Sequence, residues 1–278
     1  MSIDLLGHDF LQDALFLAHA AAACYERDPA QYEGFKRFGF DELVTFASDT
    51  SRAEDSARGY IGANADAVIL AFRGTDDVAD WLINLNVKQI EEHGALVHRG
   101  FSRALAAVWS RIETQLQSLL DRHPRKIWVT GHSLGGALAT LAALRLQRMG
   151  LSQLETFTFG QPRVGNRALA EQITMPFYRF AYYADPVCLA PFSVPRAMHY
   201  KHAGTRKLIE ATGRIVDKDS HFLTRLLSRI VSAKQVANDF IDNDLKSFLA
   251  NRINDHYMAN YIEKIESNTL RLGNSARS

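Results

Sequence analysis

The chain has 278 residues, nearly half of them apolar (47%), enough to bury a sizeable core. Its 32 Lys and Arg balance 31 Asp and Glu to a formal charge of +1, so no strong field directs it to nucleic acid or to an anionic membrane, and any lipid contact must be mainly apolar. Only two cysteines occur, Cys24 and Cys188, in unrelated surroundings, which excludes a disulfide framework or cysteine metal site and predicts two free thiols.

Met1 to Phe10 carries two acids and no Lys or Arg, and the apolar stretch that follows is broken by Asp13 and His19. No secretory signal and no transmembrane run is visible in this pattern, which predicts a cytoplasmic protein, or a secreted one whose leader was removed or that uses a leaderless route. Gly and Pro are dispersed and there is no repeat, so residues 1–278 read as one domain. Residues 9–25 read as an Ala- and Leu-rich helix, Leu43–Ala47 and Arg58–Ala63 as a hairpin, and Ala67–Phe72 as a further strand. After Arg73-Gly74-Thr75 comes a short amphipathic helix, with Val78, Trp81, Leu82 and Leu85 on one face and Asp77, Asp80 and Asn84 on the other. Periodicity leaves two roles open for it: a cover over a pocket, or an ordinary core helix.

A longer amphipathic helix fits Ser102 to Arg122 and is ended by His123-Pro124. Ile127–Thr130 suits a strand buried on both faces, Gly135–Met149 turns helical, and Phe157–Phe159 and Tyr178–Tyr183 continue the alternation. Met198–Gly204 reads as a strand or hairpin, and residues 222–265 as helices interrupted near 251–255. Strands alternating with helices predict an α/β fold with a mainly parallel sheet.

Between the buried strand and its helix lies Gly131-His132-Ser133-Leu134-Gly135, a match to G-x-S-x-G. About one chain in ten of this length contains that pattern by chance, so the context carries the argument. A sharp strand-to-helix turn lifts a serine hydroxyl out of the sheet, and glycines two residues on either side leave room for the strained backbone. Ser133 is thereby the candidate nucleophile, with the Leu134 N–H free to donate to a developing oxyanion. His132 adjoins it but points elsewhere, which suits packing or a structural hydrogen bond.

In such a sheet the acid and then the histidine follow on later loops. Asp185, after the run Tyr178–Tyr183 and before Pro186, fits the acid, with an ordinary turn aspartate as the alternative. Four histidines follow it. His199 and His202 fall in the expected strand or hairpin, and His221 opens a helix behind the capping residues Asp219 and Ser220. His256 interrupts the helical tail just ahead of its last helix, on a loop suited to reach Ser133. There is no H-E-x-x-H, no phosphate loop and no dinucleotide fingerprint, so neither metal nor organic cofactor is expected.

The blocks Phe72-Arg73-Gly74-Thr75, Val97-His98-Arg99-Gly100-Phe101, Gly131-His132-Ser133-Leu134-Gly135-Gly136, Phe159-Gly160-Gln161-Pro162-Arg163-Val164-Gly165-Asn166, Asp185-Pro186-Val187 and Asp255-His256-Tyr257-Met258 occur in that order. Together they resemble the fungal-type, class 3 lipase family of α/β-hydrolases. The resemblance implies a central, mostly parallel sheet flanked by helices with a short lid helix, and a serine carboxylic-ester hydrolase acting on acylglycerols. It implies Ser133, Asp185 and His256 as triad, Thr75 and Leu134 as oxyanion donors, the Trp81 helix as lid with Val78, Leu82 and Leu85, and Arg163 and Asn166 as structural residues. It also implies transient contact with a lipid-water interface. The chain has Thr75 where many members have serine. Phospholipase A1 or short-chain esterase activity on the same framework, and an inactive hydrolase-shaped binding module, are the other readings.

Overall fold

The computed structural model describes residues 7–31, 39–49, 56–83, 85, 87–191, 200–217 and 253–275. An eight-stranded sheet runs through it in the order β1 (Glu42–Ala47), β2 (Arg58–Ala63), β3 (Ala67–Phe72), β6 (Lys126–His132), β7 (Leu154–Phe159), β8 (Phe177–Tyr182), β9 (Thr205–Ile209) and β10 (Ile215–Val216). The first three strands are antiparallel neighbours, β3 to β9 are parallel, and β10 returns antiparallel. The expected hairpin of β1 and β2 is present, with Glu42 opposite Ala63 and Ala47 opposite Arg58.

β3 is buried along its whole length because helices cover both faces of the sheet. Its residues alternate between two cores. Val68, Leu70 and Phe72 pack with α3 (Arg99–Leu120) and α4 (Leu134–Arg148); Ile69 and Ala71 pack with α1 (His8–Ala23) and the terminal helix α6 (Met258–Ser275). Each Leu, Ile or Phe fully buried this way contributes roughly 1.5–3 kcal/mol. Two polar side chains tie α1 to the sheet: the Tyr60 hydroxyl donates to the Ala20 carbonyl at 2.8 Å, and Thr130 Oγ1 to that of Leu17 at 3.2 Å.

Helix ends follow local chemistry. α3 starts at Arg99, three residues earlier than periodicity places it, because His98 Nδ1 accepts the Phe101 amide at 3.3 Å. Asn166 caps the short α5 (Arg167–Gln172) by accepting the Leu169 amide at 3.1 Å. The segment between α2 (Val78–Ile83) and α3 forms a separate hairpin, β4 (Gln89–Glu92) and β5 (Ala95–His98), turned by His93 and Gly94 at φ of 52° and 79°. The sequence reading missed it, because its strands are only four residues long. The strand or hairpin expected over Met198–Gly204 is corrected at its described end: Gly204 sits at φ of 76°, which breaks extended structure, and β9 begins after it. His199, His221, Asn84 and the tail from 218 to 252 lie outside the described residues.

The backbone approaches closely around Gly131. A Cβ there would stand 2.3 Å from the Gly135 carbonyl oxygen, and one at Gly135 would stand 2.3 Å from that of Phe72. Gly131→Ala should therefore force the strand and helix apart and lower stability by about 1–3 kcal/mol, read as a lower urea midpoint at unchanged slope.

Candidate active site

Parallel strands bring their carboxyl ends to one edge of the sheet, and the loops after β3, β6 and β8 carry Thr75, Ser133 and Asp185. Ser133 has φ of 59° and ψ of −128°; among the described residues only it and His93 are non-glycines with positive φ. Such a conformation is strained. It is held by the Ser133 amide donating to Phe159 O at 2.9 Å and by the Ser133 carbonyl accepting the Gly136 amide at 2.9 Å. Leu134 is the first residue of α4, so its N–H has no partner within the helix.

Asp185 follows β8 in a turn whose Val187 amide donates to Asp185 Oδ1 at 2.8 Å. The other carboxylate oxygen, Oδ2, accepts from His256 Nδ1 at 2.8 Å and from the Tyr261 hydroxyl at 2.6 Å. Burial acts to raise the Asp185 pKa, but the imidazole, the phenol and the Val187 amide outweigh it and hold the carboxyl below its usual range. Burial and the Asp185 charge push the Tyr261 hydroxyl far up, so it stays a proton donor. The same phenol accepts the Tyr182 amide at 3.0 Å.

His256 is the last residue of a single turn of 3-10 helix, Ile253–His256, directly before α6. Because a carboxylate only accepts, the imidazole proton sits on Nδ1 and Nε2 is left with a lone pair. His256 Nε2 and Ser133 Oγ are both buried, and neither has a hydrogen-bond partner among the described residues. The sequence-selected residues 133, 185 and 256 are thus all drawn into the buried interior at this edge, with exposures of 0%, 2% and 0%.

Thr75 lies next to Gly74, where a Cβ would stand 3.2 Å from Ser133 Cβ; its own hydroxyl donates to Asp77 O at 3.5 Å. α2 follows, with the Asp77 carboxylate accepting the Asp80 amide at 2.9 Å as a helix cap. Its apolar face is turned inward: Val78 and Leu82 pack on Val187 and Ala190 beside Asp185, together with Trp81, Leu85 and Ile253. Asp76, Asp77 and Asp80 are exposed. Trp81 also stacks on Phe101 at 6.2 Å.

Of the other histidines, His132 makes two structural hydrogen bonds, to the Tyr25 hydroxyl at 2.8 Å and to the His256 carbonyl at 2.7 Å. His202 is half-buried and donates through Nε2 to Cys188 O at 2.7 Å. Arg163 is structural as expected, donating to the carbonyls of Leu189 and Pro191 at 2.6 and 2.8 Å. Cys24 and Cys188 are buried free thiols. Sequence reasoning missed Tyr25, which no pattern marks, and Tyr261, whose only signal is that it follows His256 on the next helix. Among the described residues no group of three or more His, Cys, Asp or Glu is arranged to hold a metal, and no helix is long and apolar enough to cross a membrane.

Tyr261→Phe removes a donor from a buried carboxylate and should cost about 1.5–3 kcal/mol at neutral pH. The sign with pH follows from the depressed pKa of Asp185: its contribution is present above the unfolded-state pKa and is lost as pH falls through the lower folded one. Urea titrations of both proteins from pH 7 down to pH 3 should show the gap between them narrowing with acid; a gap that stays constant would mean the phenol does not act through the carboxylate.

The model for the lipase (class 3) family matches residues 69–194. A secreted mono- and diacylglycerol lipase A of Penicillium cyclopium is 32% identical over 219 residues, which span 72% of this chain and 70% of that protein. A lipase of Rhizopus niveus is 34% identical over 184 residues, 61% of this chain and 45% of the relative. Among solved structures, lipase II from Rhizopus niveus superposes with a TM-score of 0.67 at 27% identity, covering 78% of this chain and 88% of that one. A triacylglycerol lipase whose catalytic centre is a serine protease triad superposes with a TM-score of 0.68 at 25% identity, covering 79% and 89%. Sequence identity over more than two thirds of both chains, on a mostly parallel sheet with a strained serine turn at its carboxyl edge, places this chain in the class 3 lipase family of α/β-hydrolases.

Proposed function

We propose that the protein is a lipase that cleaves carboxylic esters of acylglycerols through an acyl-enzyme on Ser133. The single observation that carries the reading is the pair Asp185 and His256 at 2.8 Å, with the imidazole's other nitrogen and the Ser133 hydroxyl both buried and without a hydrogen-bond partner among the described residues. Asp185 holds the Nδ1–H tautomer, so Nε2 takes the Ser133 proton as the hydroxyl attacks the ester carbonyl. The Leu134 N–H and the Thr75 N–H receive the oxyanion. Protonated Nε2 then gives its proton to the departing alcohol, and water, deprotonated by the same nitrogen, releases the carboxylic acid.

The Penicillium relatives are described as mono- and diacylglycerol lipases, which supports partial glycerides as substrates, and as secreted, which supports the secreted over the cytoplasmic expectation. Phospholipase A1 or short-chain esterase activity uses the same residues and differs only in what the site admits. The intact set of three side chains argues against a binding module.

The full burial of Ser133 and His256 implies a cover that moves, and α2 is the element to do it. Rolling α2 outward exposes Val78, Trp81, Leu82 and Leu85, a face suited to acyl chains, while its exposed aspartates remain in water.

Ser133→Ala should abolish turnover and leave the urea midpoint nearly unchanged, and a fluorophosphonate should label only Ser133 in the parent protein; labelling elsewhere would overturn the nucleophile. Hydrolysis of a short-chain acylglycerol should accelerate above its solubility limit. If soluble esters alone are turned over, with no gain at that limit, α2 is not a lid.

A further inference from the structure

Tyr25 stands 107 positions before His132 and belongs to none of the groups assigned above. Its hydroxyl packs against Gly74 and lies 2.8 Å from His132 Nδ1. The direction of this bond is set at the far side of the imidazole. His132 Nε2 is 2.7 Å from the His256 carbonyl oxygen, which can only accept, so Nε2 carries the proton and Nδ1 accepts from Tyr25. Burial holds the His132 pKa down to about 3, which keeps the ring neutral.

The Tyr25 hydroxyl packed on Gly74, the His132 ring and the His256 carbonyl therefore form one continuous chain of contacts, closed by two hydrogen bonds. It begins in the loop that carries Thr75 and ends on the main chain of the proposed base. The packing along it is close: a Cβ on Gly74 would stand 2.2 Å from the Tyr25 hydroxyl and 2.7 Å from the His132 carbonyl oxygen. The rings of His132 and His256 lie 4.4 Å apart at 30°. The loop is also held on the face of Tyr25, where the Arg73 guanidinium sits 5.5 Å over the ring while it pairs with both Asp76 oxygens at 2.5 and 2.6 Å.

An oxyanion donor and a general base must keep their mutual position to within about half an ångström for the reaction to benefit from both. Here they come from the loop after β3 and the turn before α6, which no strand pairing joins. We propose that Tyr25 and His132 are positioning residues that lock the oxyanion loop and the His256 turn to each other. The inference rests on the reading of Ser133, Asp185 and His256 as the triad.

The test is steady-state hydrolysis of a soluble p-nitrophenyl ester by Tyr25→Phe, His132→Phe, His132→Gln and the Tyr25→Phe/His132→Phe double variant, with Ser133→Ala alongside. Misplacement of reacting groups lowers kcat and leaves binding largely alone, so Tyr25→Phe should reduce kcat about tenfold and His132→Phe about 100-fold, with KM within about twofold. The glutamine amide reaches the Nε2 position and can donate to the His256 carbonyl, so His132→Gln should recover most of what His132→Phe loses. The double variant should be no slower than His132→Phe, because the chain is already cut. Unchanged kcat in folded Tyr25→Phe, a glutamine variant no better than the phenylalanine one, or losses that multiply would overturn the proposal. Should His132→Phe not fold, Tyr25→Phe alone decides. Retained turnover in Ser133→Ala would instead overturn the triad itself.

Discussion

A carboxylate taken out of water is tolerable only when its oxygens are fully engaged, and the architecture of the site is built round that demand at Asp185. Its partners come from three places: the Val187 amide and the Cys188 thiol in its own turn, the His256 ring before α6, and the Tyr261 hydroxyl one turn into that helix. Meeting the demand therefore docks the last helix against β8, since Tyr261 also receives the Tyr182 amide. It also fixes which imidazole nitrogen carries the proton, and so which one faces away from the carboxylate with its lone pair free. One electrostatic requirement thus sets both the position of the terminal helix and the chemistry open to the histidine.

The second constraint is steric. The left-handed backbone at Ser133 is sustained by neighbours that have no side chain to clash, and the two glycines concerned sit within 2.3 Å of backbone carbonyls when given a Cβ. Gly160 plays a comparable part on the other side: at φ of 59°, its missing Cβ leaves space where His256 Cε1 would lie 2.7 Å away and Asp185 Oδ2 3.0 Å. The imidazole and carboxylate can pair only because position 160 is empty of side chain. Glycine here serves the ionic pair as much as the turn.

A closed site follows from the same packing. The apolar face of α2 buries Val78 and Leu82 against Val187 and Ala190, so the turn that holds Asp185 doubles as the seat of the proposed lid. The helix is only six residues long, too short to be stable on its own, and is capped by Asp77. Such a seat is stable in water and loses its advantage beside acyl chains, which is the physical basis for the proposed opening at a lipid surface.

Much of this was legible from the residues. Hydrophobic runs bounded by turn signals marked β2, β3, β6, β7 and β8; the glycine spacing around Ser133 marked the strained turn; and the interruption expected near 251–255 marked His256. Those are local properties, decided by periodicity and backbone sterics within a dozen residues. The β4–β5 hairpin and β9 escaped because four- and five-residue strands carry too little pattern to separate from loops. Tyr25 and Tyr261 escaped for a different reason: a tyrosine in a helix or just past its end reads as core, and only the fold brings one hydroxyl to a carboxylate and the other to a neutral imidazole. By itself the sequence determined the alternation of strand and helix and the residue types able to do ester chemistry. Which hydroxyls and carbonyls meet, which tautomer results and what covers the serine were decided only in three dimensions, because hydrogen bonds between groups 70 to 125 positions apart have no signature in either neighbourhood.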